Sequence, residues 1–498
     1  LPNLWERSWW DTRARDLSVR ALSFLVLLAV TSLLAPTAAD ADLWGHLTFG
    51  RDITRDRWVH TTDSYSFTSD RPWINHEWAA EVLMWTFYAV GGATGLIALK
   101  LIVACCVGVV VLAVWRRHTL TAPWRDALLF TTALGLWPQF ATIRPQIFSL
   151  LLLGVLLVIL ERFREGHQKW SLAIPLVFVV WVNVHGGWII GAAVFTIFVA
   201  CSVFDAEFDR YRRLLLIAAA LASAIGTLVN PYGVRMLAFL FETVGPDRAD
   251  IVEWQPLLRV PATALVLWCV PTALAAAAVW RNRRTIPISS LLITLVLGVG
   301  TFRVVRLLGF YALTVGMLLA PYVRSAATEQ KTRPAHAPIW YAAAVSVLIV
   351  SLALVLFARR IGMQATWLPE ADAAVFVRTH ALTGRMLTWF DYGEYAIWHF
   401  SPRLRVSMDG RRETVYSDDM RALHWRIYRN EPSALHDLAR LDPEYVWLPV
   451  DFPIVARLKA GGWRQIFKGS RSVLLGREGV DSILGLTVES ETRYFPGP

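Results

Sequence analysis

Apolar runs that approach or exceed 18 residues recur along this chain from residue 20 to residue 357, and they leave few architectures open. A bilayer can bury each run as a helix whose backbone groups bond to one another. Charged residues make up only 18% of the 498, against about one quarter in soluble domains. The runs predict a polytopic α-helical membrane protein of about eleven spans, over 20–38, 92–115, 126–140, 146–162, 171–183, 187–204, 213–229, 261–280, 287–301, 306–322 and 339–357. Several are short for a hydrocarbon core of about 30 Å and read as tilted or broken helices. The first run lacks an A-x-A cleavage site and reads as a retained helix.

Charge orients the spans. The N-terminus carries Arg7, Arg13, Arg15 and Arg20, and every second loop is basic: Arg116, Arg117 and Arg125; Arg162, Arg164 and Lys169; Arg210, Arg212 and Arg213; Arg281, Arg283 and Arg284; Arg324, Lys331 and Arg333. Alternate loops hold Arg144 alone, none around His185, and Arg303 with Arg306. By the positive-inside rule, the N-terminus and the basic loops are cytoplasmic. The net charge of +10 therefore belongs to topology rather than to a nucleic-acid partner. Three large segments fall on the outer side: 39–91, 230–260 and everything from about 359. Two domains follow, a transmembrane part over 1–358 and an extracytoplasmic α/β domain over 359–498. In the latter, "EYVWLPV" and "SVLLGRE" read as strands, and "DDMRALHWRIYRNEPSALHDLARL" as helices broken at Pro432. The four cysteines lie inside apolar runs and offer neither a disulfide framework nor zinc spacing.

The outer loops carry the polar chemistry. In "DADLWGHLTFGRDITRD", Leu43, Trp44, Leu47 and Ile53 share a face, which predicts an interfacial helix; "INHEWAAEVLMWTFYAV" predicts a second. Acids and histidines crowd this loop beside lipid: Asp40, Asp42, His46, His76, Glu77 and Glu81. One of Asp40 and Asp42 can serve as an N-cap, but two carboxylates exceed what a cap needs, and an acid near lipid must be solvated, paired or used. Asp42 and His46 are four residues apart on a helical face, a spacing that suits a hydrogen-bonded pair or two ligands of a divalent ion (Mg, Mn or Zn), with His76, Glu77 and His185 on the same side. "WVNVHGGWIIG" breaks an apolar run with Asn183 and His185, as a turn or as the lining of a cavity. Arg144, Arg303 and Arg306 are the basic residues of the short outer loops between spans. They either snorkel to the surface or clamp a lipid-linked phosphate, which a guanidinium matches bidentately. "ADIVEWQP" adds Glu253, a further carboxylate. "RVSMDGRRETVYS" places Asp409 and Arg411 at the end of a strand, as a turn or as groups that bind an acceptor or cap the site.

Acids opening the first outer loop, two interfacial helices, about eleven spans and an outer α/β domain resemble the GT-C superfamily of membrane glycosyltransferases. "DADLWGH", "NHEWAAE", "WVNVHGGWIIG", "NPYG", "EWQP" and "DYGEYAIWHFSPRLRVSMDGRRE" look like a widespread bacterial group of GT-C-like membrane proteins, over most of the chain. Two departures stand out. Gly45 occupies a place where a second Trp is expected, which bears on local helix packing. The Lys-Pro-Pro stretch of some lipid-sugar transferases is absent, with "NHEW" near its place.

The resemblance implies an inverting glycosyltransferase of the bacterial inner membrane. It would move a sugar from a polyprenyl-phosphate-linked donor to a glycan, lipid or protein acceptor. Asp42 or Asp40 would be the general base, with Asp42 favoured because it continues into the helix toward His46. Arg144, Arg303 and Arg306 would hold the donor phosphate; His46, His76, Glu77, Asn183, His185, Glu253, Asp409 and Arg411 would bind substrate. A non-catalytic scaffold or subunit of an envelope assembly is the main competing reading. A transporter would show charged or broken helices at mid-membrane, but here polar residues gather at outer ends. No serine, cysteine or histidine constellation favours an acyl-enzyme.

Overall fold

The computed structural model describes residues 18, 21–115, 118, 120–244, 251–323, 363, 371–477 and 494–497. The first ten expected apolar runs are helical: α1 (Ala21–Leu34), α3 (Trp78–Trp115), α4 (Ala122–Phe140), α5 (Gln146–Arg164), α6 (Ala173–Val184), α7 (Trp188–Phe204), α8 (Arg210–Gly226), α10 (Ala262–Asn282), α11 (Ile288–Arg303) and α12 (Leu308–Thr314). The last continues through a π turn, Val315–Leu319, and a 3-10 turn, Ala320–Val323. The eleventh run, 339–357, lies outside the described residues. Two further helices, α2 (Leu43–Asp56) and α9 (Val234–Val244), lie between these runs, in segments expected on the outer side. Helices α3, α5 and α10 and the stretch Val305–Val323 are long and apolar enough to cross a membrane; α1, α7, α11 and Gln168–Val184 are apolar but shorter. Helix α5 is mostly buried within the bundle, whereas few residues of α10 are buried.

The two expected helices of the first outer loop are present, with a difference. The second is continuous with the following span as α3 and breaks at Gly92, whose φ of 56° and ψ of −144° suit a residue without a β-carbon. The first, α2, is buried on nearly all sides from Leu43 to Gly50. One face packs on α3 and the other on a helix of the C-terminal domain, so the amphipathic stripe marks only one of two buried faces.

Two segments lead into the outer loops side by side. Ala38 bridges Thr142 in parallel, and the Ala38 N–H donates to Ala141 O at 2.9 Å. Beneath them Lys100 of α3, fully buried, donates to Pro36 O and Phe140 O at 2.8 Å and to Ala35 O at 3.3 Å. This tie satisfies all three ammonium protons and sets Asp40 and Arg144, each two residues beyond the bridge, opposite one another.

The C-terminal part is the expected α/β unit. Its helices are α13 (Ala371–Thr379), α14 (Phe390–Phe400), α15 (Asp418–Tyr428), α16 (Ala434–Leu441) and α17 (Pro453–Ala460). Its strands are β1 (Gly384–Thr388), β2 (Leu404–Val406), β3 (Tyr445–Pro449), β4 (Arg464–Lys468) and β5 (Ser472–Gly476), in the order β2-β1-β3-β5-β4. The β1 pairings are parallel and the β5 pairings antiparallel. The edge at β2 is covered by the first outer loop: Ser66 bridges Val406, with Phe67 N–H to Val406 O and Val406 N–H to Tyr65 O, both 3.0 Å.

Candidate active site

Asp42 stands at the N-cap position of α2, yet its side chain makes no capping bond. The carboxylate turns toward Arg144 instead, with Oδ2 3.6 Å from the guanidinium. Arg144 also pairs with Asp40 and, through its other face, with Glu253. Arg306 reaches Glu253 at 3.4 Å and lies over the Trp254 ring at 5.7 Å. Glu253 thus sits between two arginines, where their charge holds it below the usual carboxylate range against the opposing effect of burial. Of these, Arg144, Glu253 and Arg306 line a cavity of about 410 Å³, whose remaining walls are mainly apolar, among them Trp137, Leu267 and Leu308. Of the three arginines expected at a phosphate, Arg144 and Arg306 meet here. Arg303 is exposed at the end of α11 and does not line the cavity.

Asp40 and Asp42 differ in setting. Asp40 is buried, and its Oδ1 has no hydrogen-bond partner among the described residues. The Asp42 side chain remains about one-third exposed. Burial raises the Asp42 carboxyl to about 6, with Arg144 opposing and Asp40 adding to the rise. A carboxylate that is accessible, free of the cap and poised near neutrality is suited to accept a proton.

Deeper in, His46 Nδ1 lies 3.1 Å from Glu81 and 4.0 Å from Glu77. Burial lowers the imidazole, but the Glu81 hydrogen bond and the nearby Glu77, Glu81 and Asp42 charges override it and raise His46 to about 9. Glu77 stands among three imidazoles, 3.5 Å from His76 and from His185, and nearby positive charge, that of His76 first, overcomes burial to hold it below the usual carboxylate range. The tautomer of His185 is set locally: its Nδ1 accepts the Gly187 N–H at 3.0 Å, and Ser149 Oγ stands 2.7 Å from the same nitrogen. Nε2 then carries the proton and faces Glu77. Burial drives His185 down to about 3, so it is neutral. Asn183 ties loops together, accepting from Trp78 Nε1 at 2.9 Å and donating to Val179 O and Val229 O.

The ligand atoms of His46, Glu77 and Glu81 lie within 4.8 Å of one another. One imidazole and two carboxylates fit a divalent ion such as zinc or manganese. Asp42, expected to share a metal with His46, is not in this group, because at the N-cap its side chain turns to Arg144 while His46 points to Glu81.

Asp409 and Arg411 are also near, but they face each other. Arg411 donates to Asp409 at 2.7 and 2.9 Å and to Asp63 at 2.8 Å, beneath the rings of Phe49, Tyr65 and Trp73 at 4.9, 5.3 and 4.8 Å. With Asp63, the pair clasps the C-terminal part to the segment between α2 and α3. Sequence reasoning missed Asp63 in this clasp, and it missed Glu394 of α14, a buried acid that reaches α2. The signal for Glu394 was an isolated acid within the apolar helix "YGEYAIW".

No family model matches the sequence, and neither does any curated protein. Solved structures do share its fold. ArnT from Cupriavidus metallidurans in the apo state aligns over 95% of this chain and 100% of its own, at 13% identity and a TM-score of 0.54. The same enzyme bound to undecaprenyl phosphate aligns over 95% and 99%, at 13% identity and a TM-score of 0.53. The Archaeoglobus fulgidus oligosaccharyltransferase in complex with zinc and sulfate aligns over 86% of this chain and 68% of its own, at 13% identity and a TM-score of 0.53. The expected likeness holds: the chain is a membrane protein with the GT-C fold.

Proposed function

We propose that this protein is an inverting glycosyltransferase of the bacterial inner membrane. It takes a sugar from a polyprenyl-phosphate carrier and gives it to a glycan, lipid or protein at the outer face. Eleven spans run through residues 1–358, the N-terminus is cytoplasmic, and residues 359–498 form a periplasmic domain. The observation that carries the reading is Arg144, shared between the first-loop acids and Glu253 at the rim of an apolar cavity. The neighbour bound to undecaprenyl phosphate lends the fold a precedent for a lipid phosphate.

In this reading the prenyl chain lies in the cavity and Arg144 with Arg306 binds the phosphate. Asp42 Oδ accepts the proton of the acceptor hydroxyl as its oxygen bonds the anomeric carbon from the opposite face. The bond from that carbon to phosphate oxygen breaks, and the carrier leaves as an anion stabilised by the two guanidiniums. The phosphate must displace Glu253 from these arginines. His46, Glu77 and Glu81 would hold a divalent ion, which supplies positive charge beside the acids when bound. His76, Asn183, Asp409 and Arg411 shape the acceptor side. Purified protein assayed with a panel of polyprenyl-phosphate sugars tests the reading: transfer by wild type supports it. A fully folded protein that binds carrier yet turns over none of the panel would point to the scaffold reading.

A further inference from the structure

Glu394 enters the reaction centre from the C-terminal domain. Its residue is 3% exposed, and Oε2 has no hydrogen-bond partner among the described residues. Two glycines admit it. A β-carbon on Gly45 would overlap the Glu394 carboxyl, and one on Gly410 would overlap both Glu394 Oε1 and Asp42 Oδ1. Both carboxyl groups therefore lie on the side of Gly410 where a β-carbon would stand, with Asp42 Oδ1 and Glu394 Oε1 no more than about 5 Å apart, and glycine in place of the Trp expected at position 45 leaves room for the acid.

We propose that Glu394 is a neutral carboxylic acid that shares its proton with Asp42 Oδ1, and so is a positioning residue that orients the Asp42 carboxylate. This rests on the reading of Asp42 as general base. The alternatives fail on charge. Two carboxylates this close, one of them buried, cannot both ionise without strong mutual repulsion. The other charges facing Glu394 do not relieve it. Arg411 is committed to Asp409 and Asp63, and Asp409 is itself held ionised, against burial, by Arg411 with Tyr416. Glu81, bonded to His46 and Asn75, adds a further carboxyl nearby. Around Asp42 the other charges are the carboxyls of Asp40 and Asp391 and the cations Arg144 and His46.

Between the two, the proton belongs on Glu394. Asp42 is about one-third exposed and 3.6 Å from Arg144, whereas Glu394 is buried and the cation acting on it, Arg411, is already paired with Asp409 and Asp63. Burial first, then Asp42 and Asp409, push the Glu394 carboxyl well above the usual range. With Oδ1 held by a neutral donor, Asp42 keeps Oδ2 on the Arg144 side, where the donor phosphate and acceptor would meet. The arrangement makes the soluble-looking domain part of the chemistry.

Two measurements on the full chain test this. Infrared spectra at pH 7 should contain the carbonyl stretch of a protonated carboxyl that is lost in Glu394→Gln; identical spectra overturn the proposal without any turnover being needed. In the transfer assay, Glu394→Ala should lower kcat roughly tenfold or more with donor KM little changed, and Glu394→Gln, which keeps a neutral donor, should recover most of that loss. Glu394→Gln as impaired as Glu394→Ala, or Glu394→Ala equal to wild type, overturns it. Asp42→Asn in the same assay separates the two claims: full activity there defeats the general-base reading, while the infrared band still reports on Glu394.

Discussion

Arg411 and Arg144 are each ringed by acids, and their surroundings set them apart. The Arg411 side chain is 6% exposed, Asp63 and Asp409 are fully buried, and three aromatic rings stand where water would be. The Arg144 side chain is 25% exposed, its partners Asp42 and Glu253 are 32% and 34% exposed, and a cavity opens beside it. Ion pairs sealed from water fasten two parts of a fold, because separating them strands charge in a dry site. Pairs at the edge of a cavity can trade one anion for another at small cost. The first arrangement clasps the domains, and the second can exchange a carboxylate for a phosphate.

Substitutions can break this contrast. Arg411→Met should leave Asp409 and Asp63 buried without a counter-charge and destabilise the protein by about 3–5 kcal/mol, read as a large fall in Tm. Arg144→Met should lower Tm less, since of its acid partners only Asp40 is buried, and should raise donor KM by about two orders of magnitude as a charge-assisted bidentate contact is lost. Comparable Tm losses in both variants would erase the distinction.

A smaller effect sharpens it. Asp42 accepts a proton only as a carboxylate, and burial places its carboxyl at about 6, so activity should fall about tenfold per unit as pH drops below that value. Arg144 lowers the Asp42 carboxyl, so in Arg144→Met this acid limb should move to higher pH. A pH–rate profile of the two proteins measures it. Smallest is Glu253→Gln, which frees both guanidiniums of their carboxylate and should lower donor KM a few-fold in a donor titration.

Different parts of this design were legible to different degrees in the sequence. Apolar runs marked helices α1, α3 through α8 and α10 through α12 because continuous hydrophobicity needs no knowledge of partners. The strands at Tyr445–Pro449 and Ser472–Gly476 were visible for a similar local reason. The acids of "DADLWGH" drew notice by lying beside lipid. What the sequence could not convey was pairing across distance. Nothing local joins Arg144 to Glu253, or Arg411 to Asp63, and α2 looked half-exposed because its second face is covered by a helix about 350 residues further on. Glu394 escaped for the same reason: its environment is made by Gly45 and Gly410, remote in the chain.

The central claim is that Asp42 is the base of a lipid-linked sugar transfer. Its most direct test compares wild type, Asp40→Asn and Asp42→Asn, all verified as folded, for transfer from a polyprenyl-phosphate sugar accepted by the wild type. The account predicts that Asp42→Asn lowers kcat about 100-fold or more with carrier binding retained. Wild-type turnover by Asp42→Asn would contradict it.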